Sequence, residues 1–223
     1  MTIVERFARV LERVAAAAER SGRDASDVTV VAVSKTFPAD VVSAAIAAGA
    51  VDLGENRAQE LKQKQAVVAG ARWHFVGHLQ TNKVRHVVGV ALVHSVDRFG
   101  LGEAIARRAS SMGIVQDVLI EVNVSGEENK HGVAPERMTA LAEQLLHLDG
   151  LRVTGLMAMP PLPNDPEESR PYFQQLVALR DGLLDRAPGA ADLSMGMTRD
   201  FEIAVEEGAT IVRVGEAIFG PRR

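Results

Sequence analysis

VTVVAVSKTFPAD, residues 28–40, runs as unbroken apolar, β-branched sequence to Val33, turns polar at Ser34-Lys35 and reaches a proline suited to the first turn of a helix. A strand covered on both faces reads as such a run, and a helix directly after it is the usual crossover to a parallel neighbour. The unit recurs. Further apolar runs lie at 51–53, 73–76, 91–94, 118–124, 151–157, 193–195 and 211–214, separated by amphipathic helical stretches. Eight strand–helix units in a chain of 223 residues predict an α/β fold, a closed (β/α)8 TIM barrel rather than an open sheet.

Ahead of the barrel, Thr2 and Glu5 stand at capping-box spacing, and Val4, Phe7, Leu11 and Val14 recur at helical intervals. An extra N-terminal helix is expected to end near Ser21-Gly22. Pro38 opens a helix running to Gly49, Gly54 precedes one reaching about Gly70, and Gly208 closes one that begins near Thr198. Residues 159–169, MPPLPNDPEES, are too proline-rich for a helix or central strand and read as a loop after the sixth strand. There is no linker or repeat, so one domain over residues 1–223 is expected.

The 25 Lys and Arg and 29 Asp and Glu residues leave a net charge of −4, with no basic block to hold a phosphate backbone or an anionic membrane. Nucleic acid and membrane are therefore not expected partners. The absence of cysteine removes disulfides, thiolate nucleophiles and cysteine-ligated metals. No apolar run is long enough to span a bilayer or to form a secretion signal, so a cytoplasmic protein is expected, and with no extra domain or long apolar helix to announce an interface, a monomer.

In a (β/α)8 barrel the chemistry gathers at the carboxyl ends of the strands. Polar residues just past the runs are Lys35; Glu55 and Asn56; His78 and Asn82; Ser95 and Asp97; Asn123 and Ser125. Lys35 either reaches solvent or a carboxylate, or offers a partly neutral amine that condenses with an aldehyde. In SMGMTRD, residues 194–200, the small Ser194 and Gly196 and an N-capping Thr198 suit either a plain helix start or a phosphate cup, with the Gly215 and Glu216 amides of the next loop beside it. Arg213, on an apolar strand, needs an acceptor: an ion pair with Glu202 or Glu121, or a ligand's ring nitrogen. His74, His78 and His86 carry no metal-ligand motif, and no metal is expected. Glu60, Lys62, Lys64, Glu206 and Glu207 read as solvated helix faces, and Met157, Met159, Met195 and Met197 as core or pocket lining.

The motifs AVSKT, GENRAQE, WHFVGHLQTNK, HSVDR, VNVSGEENKHG, GLMAM, LSMGMTRDFEIAVEEG and VRVGEAIFG, in this order along essentially the whole chain, resemble the pyridoxal 5′-phosphate (PLP) homeostasis protein family, a PLP barrel of the alanine racemase N-terminal type. The resemblance implies that Lys35 forms the internal aldimine, a Schiff base. It implies too that Ser194, Thr198, Gly215 and Glu216 hold the phosphate, that Arg213 faces the pyridine nitrogen, that Asn56 and His78 border the ring, and that Met195 is among the cofactor-binding residues. Family members often carry threonine where this chain has Glu216, and a carboxylate beside phosphate must point away. An arginine at the ring nitrogen leaves PLP a poor electron sink, which disfavours transamination. Racemisation needs a second acid/base group, and the racemases take a tyrosine from an extra domain that this chain lacks. The expected function is PLP holding and homeostasis without efficient catalysis, with delivery to PLP-accepting apoenzymes. The alternatives are a weak amino-acid racemase using His78 or Tyr172, and a phosphate-binding isomerase barrel in which Lys35 is only electrostatic. Lys130 is a candidate secondary docking lysine.

Overall fold

The computed structural model describes residues 1–127 and 129–221. Eight parallel strands close into a barrel in sequence order: β1 (Thr29–Val33), β2 (Asp52–Glu55), β3 (Arg72–Phe75), β4 (Leu92–Val96), β5 (Gln116–Val122), β6 (Leu151–Ala158), β7 (Asp192–Ser194) and β8 (Ile211–Val214). The seam sets β8 against β1, with Thr29 opposite Ile211 and Ala32 opposite Val214. The expected strands are all present, displaced at most by a few residues at their ends.

Around the barrel lie α1 (Ile3–Arg20), α2 (Ala39–Ala47), α3 (Ala58–Gln65), α4 (Phe99–Ser111), α5 (Pro135–Leu146), α6 (Arg170–Leu184), α7 (Phe201–Glu206) and α8 (Glu216–Phe219). The connection from β3 to β4 is a 3-10 segment, Thr81–His86, in place of an α-helix. Pro38 is the N-cap of α2 rather than within its first turn, and α3 stops at Gln65, short of Gly70. Gly54 lies inside β2 with its α-carbon facing the lumen, where a Cβ would stand 3.0 Å from Val31 and 3.2 Å from Val33. No helix among the described residues is long and apolar enough to cross a membrane.

The capping box of α1 forms as the spacing predicts: the Glu5 amide donates to the Thr2 hydroxyl, and the Thr2 amide to the Glu5 carboxylate. Phe7, Val10, Val14, Ala17 and Ala18 make its buried stripe. The helix covers the barrel seam, where Arg13 donates twice to Glu202 of α7 and lies 4.5 Å over the Phe201 ring, and Arg6 donates to the Phe219 carbonyl of α8.

Strand alternation divides the core into two layers. Outward residues pack under the helices in one large apolar cluster. Inward, Val31, Val33, Leu92, Leu119, Met157 and Ile211 form a smaller cluster, and His74, His94, Glu121, Ser194 and Arg213 fill the rest of the lumen with polar groups. Barrel interiors are usually apolar, so this lumen is unusual.

Candidate functional site

At the carboxyl end of the strands a cavity of about 390 Å³ opens, lined among others by Lys35, Asn56, His78, Glu121, His131, Thr198, Arg213, Gly215 and Glu216. Seven of the nine residues picked from the sequence, Lys35, Asn56, His78, Thr198, Arg213, Gly215 and Glu216, meet here. Met159 and Leu162 of the proline-rich loop and Met197 add apolar wall.

Lys35 follows Val33 on the inward parity of β1, and the turn after it is strained. Thr36 has φ +72°, the one positive value among described non-glycine residues, and costly for a β-branched side chain. A buried cluster holds the turn. The Thr36 amide donates to Glu60 Oε1 at 2.6 Å, and Lys64 Nζ donates to the Ser34 carbonyl (2.7 Å), Glu55 Oε1 (2.5 Å) and Glu60 Oε1 (2.8 Å). The Ser34 hydroxyl completes it with a 2.6 Å bond to Glu55 Oε1. Burial pushes the Glu55 carboxyl up against these donors. Lys64 and Glu60 are thus not a solvated helix face: Glu55 points outward from β2 beneath α3 and requires a cation there. Glu206 and Glu207 are likewise drawn in, by Arg20 and Arg170, while Lys62 is exposed as expected.

The other two, Ser194 and Met195, are not among the lining residues of the cavity. Both are fully buried. Ser194 points into the lumen, where its hydroxyl takes a 2.5 Å bond from Arg213 and meets His94 Nδ1 at 2.8 Å; Met195 packs in the outer apolar layer. Nor is Thr198 the N-cap of α7, which is Asp200, whose carboxylate accepts from the Met197 amide and the Ser169 hydroxyl. The Thr198 hydroxyl instead accepts from the Ala217 amide at 3.4 Å, drawing the loop after β7 against the start of α8. Gly215 is close-packed: a Cβ there would stand 3.3 Å from the Val33 carbonyl oxygen. Glu216 is exposed at the cavity edge.

Arg213 donates to Ser194 and to the Ala158 carbonyl (2.9 Å), not to Glu202, which is engaged by Arg13 on the outer surface. Burial lowers its pKa to about 10, against the pull of Glu121 and Asp200, so it stays charged at neutral pH. Glu121 shares the lumen with it. Burial, and then repulsion from Asp97, raise the Glu121 carboxyl to about 7 despite Arg213, and its Oε2 is buried with no hydrogen-bond partner.

At the mouth, the rings of His78 and His131 stack with centroids 3.8 Å apart and planes 12° from parallel, and His78 Nδ1 lies 3.6 Å from Asp97 Oδ2. These three residues bring potential metal-ligand atoms within 4.8 Å of one another. A metal bonds in the plane of an imidazole, and two nearly parallel stacked rings do not share one, so this is not a preformed metal site. Burial, then His131, keep the His78 pKa low against Asp97. His74 lies inside the barrel, away from His78. Tyr172 packs against the outer core and Lys130 pairs with Glu127 at 3.0 Å; neither lines the cavity.

Sequence reasoning missed the burial of Lys64, the mouth position of His131 and the inward direction of Ser194. Only parity along β7 could have signalled the last.

The sequence model of the alanine racemase, N-terminal domain, matches residues 7–223. The chain is 48% identical over 227 residues to the pyridoxal phosphate homeostasis protein of Aquifex aeolicus, covering 100% of both. It is 44% identical to that of Pseudomonas aeruginosa, covering 99% of this chain and 96% of the relative. The structure of PipY of Synechococcus elongatus with PLP bound superposes with a TM-score of 0.84 at 35% identity, over 98% of this chain and 100% of that one. The chain belongs to the alanine racemase N-terminal domain family and, within it, to the pyridoxal phosphate homeostasis proteins.

Proposed function

We propose that this member of the PLP homeostasis proteins holds PLP in the cavity at the carboxyl end of its barrel, as a Schiff base with Lys35, and serves intracellular PLP homeostasis without efficient catalysis. The observation that carries the reading is one cavity shared by an amine and a charged, buried guanidinium on adjacent strands, Lys35 after β1 and Arg213 on β8. Its volume suits a small ligand. The close-packed Gly215 and the Thr198–Ala217 contact make a narrow rim for the phosphate end, with Glu216 turned to solvent. Asn56 and His78 border the ring, while Ser194 and Met195 act from behind the cavity wall.

PLP supplies an aldehyde and an electron-withdrawing ring. A charged Arg213 at the ring nitrogen would donate to it and leave it unprotonated, which would weaken that withdrawal. Tyr172, the one tyrosine, lies outside the cavity, so the racemase arrangement is incomplete. In this reading the chain acts as one cytoplasmic, monomeric domain over residues 1–223, hands PLP to apoenzymes, and binds neither nucleic acid nor membrane.

The test is an absorbance spectrum with added PLP, before and after borohydride, for wild type and Lys35→Ala. A visible band dependent on Lys35 is expected, which borohydride removes by reducing the C=N bond while leaving the ligand covalently on the protein. A protein that stays colourless with PLP overturns the reading.

One observation favours weak racemisation as a second reading: Glu121 is a cavity carboxyl titrating near neutrality, a pKa matched to acid/base work, with His78 nearby. Single-turnover α-proton exchange with both enantiomers of several amino acids decides. Exchange that is lost in both Lys35→Ala and Glu121→Gln supports it, and none in wild type rejects it.

A further inference from the structure

A line of buried polar groups crosses the barrel from end to end. At the amino end Asp52 Oδ1 lies 2.9 Å from His74 Nε2; His74 Nδ1 lies 3.0 Å from His94 Nε2; His94 Nδ1 lies 2.8 Å from Ser194 Oγ; and Arg213 reaches Ser194 Oγ at 2.5 Å. The five residues come from β2, β3, β4, β7 and β8, so the line crosses the lumen between β4 and β7. It is open at both ends: His74 lines a cavity of about 220 Å³ at the amino end, and Arg213 lines the ligand cavity.

The end groups fix the direction of every bond. A guanidinium only donates, and an ionised carboxylate only accepts. Arg213 therefore donates to Ser194, whose own hydrogen has one acceptor in reach among the described residues, His94 Nδ1. His94 is then protonated on Nε2 and donates to His74 Nδ1, and His74, protonated on Nε2, donates to Asp52. In this direction each imidazole carries its hydrogen on Nε2. The opposite direction needs His74 doubly protonated and leaves the Ser194 hydrogen buried without an acceptor, which is costly. Burial, then His74 and Arg213, hold His94 well below its usual pKa, in keeping with the neutral form.

We propose that Asp52 and His74, at the end of the barrel remote from the ligand, are positioning residues for Arg213, acting through this one-way line of hydrogen bonds and so setting how the guanidinium meets the ligand ring. The functional half rests on the PLP reading; the direction of the line does not. Asp52 is the terminal acceptor that polarises each donor in turn, and aligned buried hydrogen bonds reinforce one another. Arg72, 3.1 Å from Asp52 on the outside, holds that carboxylate in place.

Two measurements test it. In the ligand-free protein, nitrogen-15 NMR of labelled histidines is expected to find His74 and His94 both as Nε2–H tautomers; an Nδ1–H or doubly protonated His74 overturns the direction. In PLP titrations, Asp52→Asn is expected to weaken binding about fivefold or more and to shift the visible band, with the Lys35 adduct still formed. Asp117→Asn, which breaks a surface pair with Arg152 at the same end, serves as the control and changes neither. A folded Asp52→Asn protein with wild-type affinity and band position overturns the positioning role. If Asp52→Asn does not fold, His74→Gln is titrated against the same criteria. Failure of wild type to bind PLP refutes the cavity reading and leaves the tautomer result standing.

Discussion

Glu55 and Glu121 are both inward of the surface, both held above the usual carboxylate range by burial, and both have an Oε2 without a partner. They differ in what meets the other oxygen. Glu55, on the outer face of β2, is closed off: Lys64 and Ser34 converge on Oε1, and the cluster exists to pin the strained turn behind Lys35. Glu121, on the inner face of β5, feels Arg213 across the lumen, and it borders the ligand cavity. One buried carboxylate is held on one oxygen by donors from within the fold; the other lies at the wall of the ligand cavity. A closed group answers to stability, and an open one to pH and ligand.

The largest effect is expected at the closed group. Lys64→Ala strands Glu55 beneath α3 with its main donor gone, and removing one partner of a buried pair costs about 3–5 kcal/mol. Urea denaturation at pH 7 measures it. Replacing both residues together, Lys64→Met with Glu55→Leu, recovers most of the loss, because no charge is left buried. A loss under about 1 kcal/mol for Lys64→Ala breaks the comparison, since the pair then behaves as a surface one.

At the open group the sign reverses. The Glu121 carboxyl titrates near 7 in the folded chain against an ordinary value of 4.5, so the unfolded state releases its proton first as pH rises. Its contribution is most favourable below 4.5, declines between 4.5 and 7 and levels off above, a fall of about 3 kcal/mol. Glu121→Gln removes that fall. The variant is expected to gain on wild type between pH 5 and pH 8, as read from urea midpoints at the two values. Equal pH dependence in the two proteins closes the distinction between the carboxylates.

The sequence showed the barrel in full because strand periodicity and glycine punctuation are local signals, and each apolar run from Val28–Val33 to Ile211–Val214 became a strand. Residues past the strand ends were legible too, since a barrel fixes where those ends gather. What escaped depended on the direction of a side chain or a partner far along the chain. The sequence did not reveal that the Ser194 hydroxyl, by its parity on β7, meets Arg213 and His94 inside the lumen. Lys64 carried the composition of a solvated helix, and only the outward placement of Glu55 beneath α3 made it a core residue. His131 came to His78 through two separate loops, which no spacing rule relates.

The smallest effect sets the scale for the others. Arg13 and Glu202 join α1 to α7 by two hydrogen bonds of 2.9 and 2.7 Å, a better geometry than Lys64 has with any one partner, yet their side chains are 37% and 30% exposed. Water already solvates both charges there, so Arg13→Ala loses a screened attraction and some packing on Phe201, about 1 kcal/mol or less. Because neither group is buried without the other, the loss is expected to shrink further in 1 M salt, whereas that of Lys64→Ala persists. Denaturation of both variants at low and high salt reads this directly. An Arg13→Ala loss as large and as salt-independent as that of Lys64→Ala would mean that bond geometry, not burial, ranks the ion pairs of this barrel.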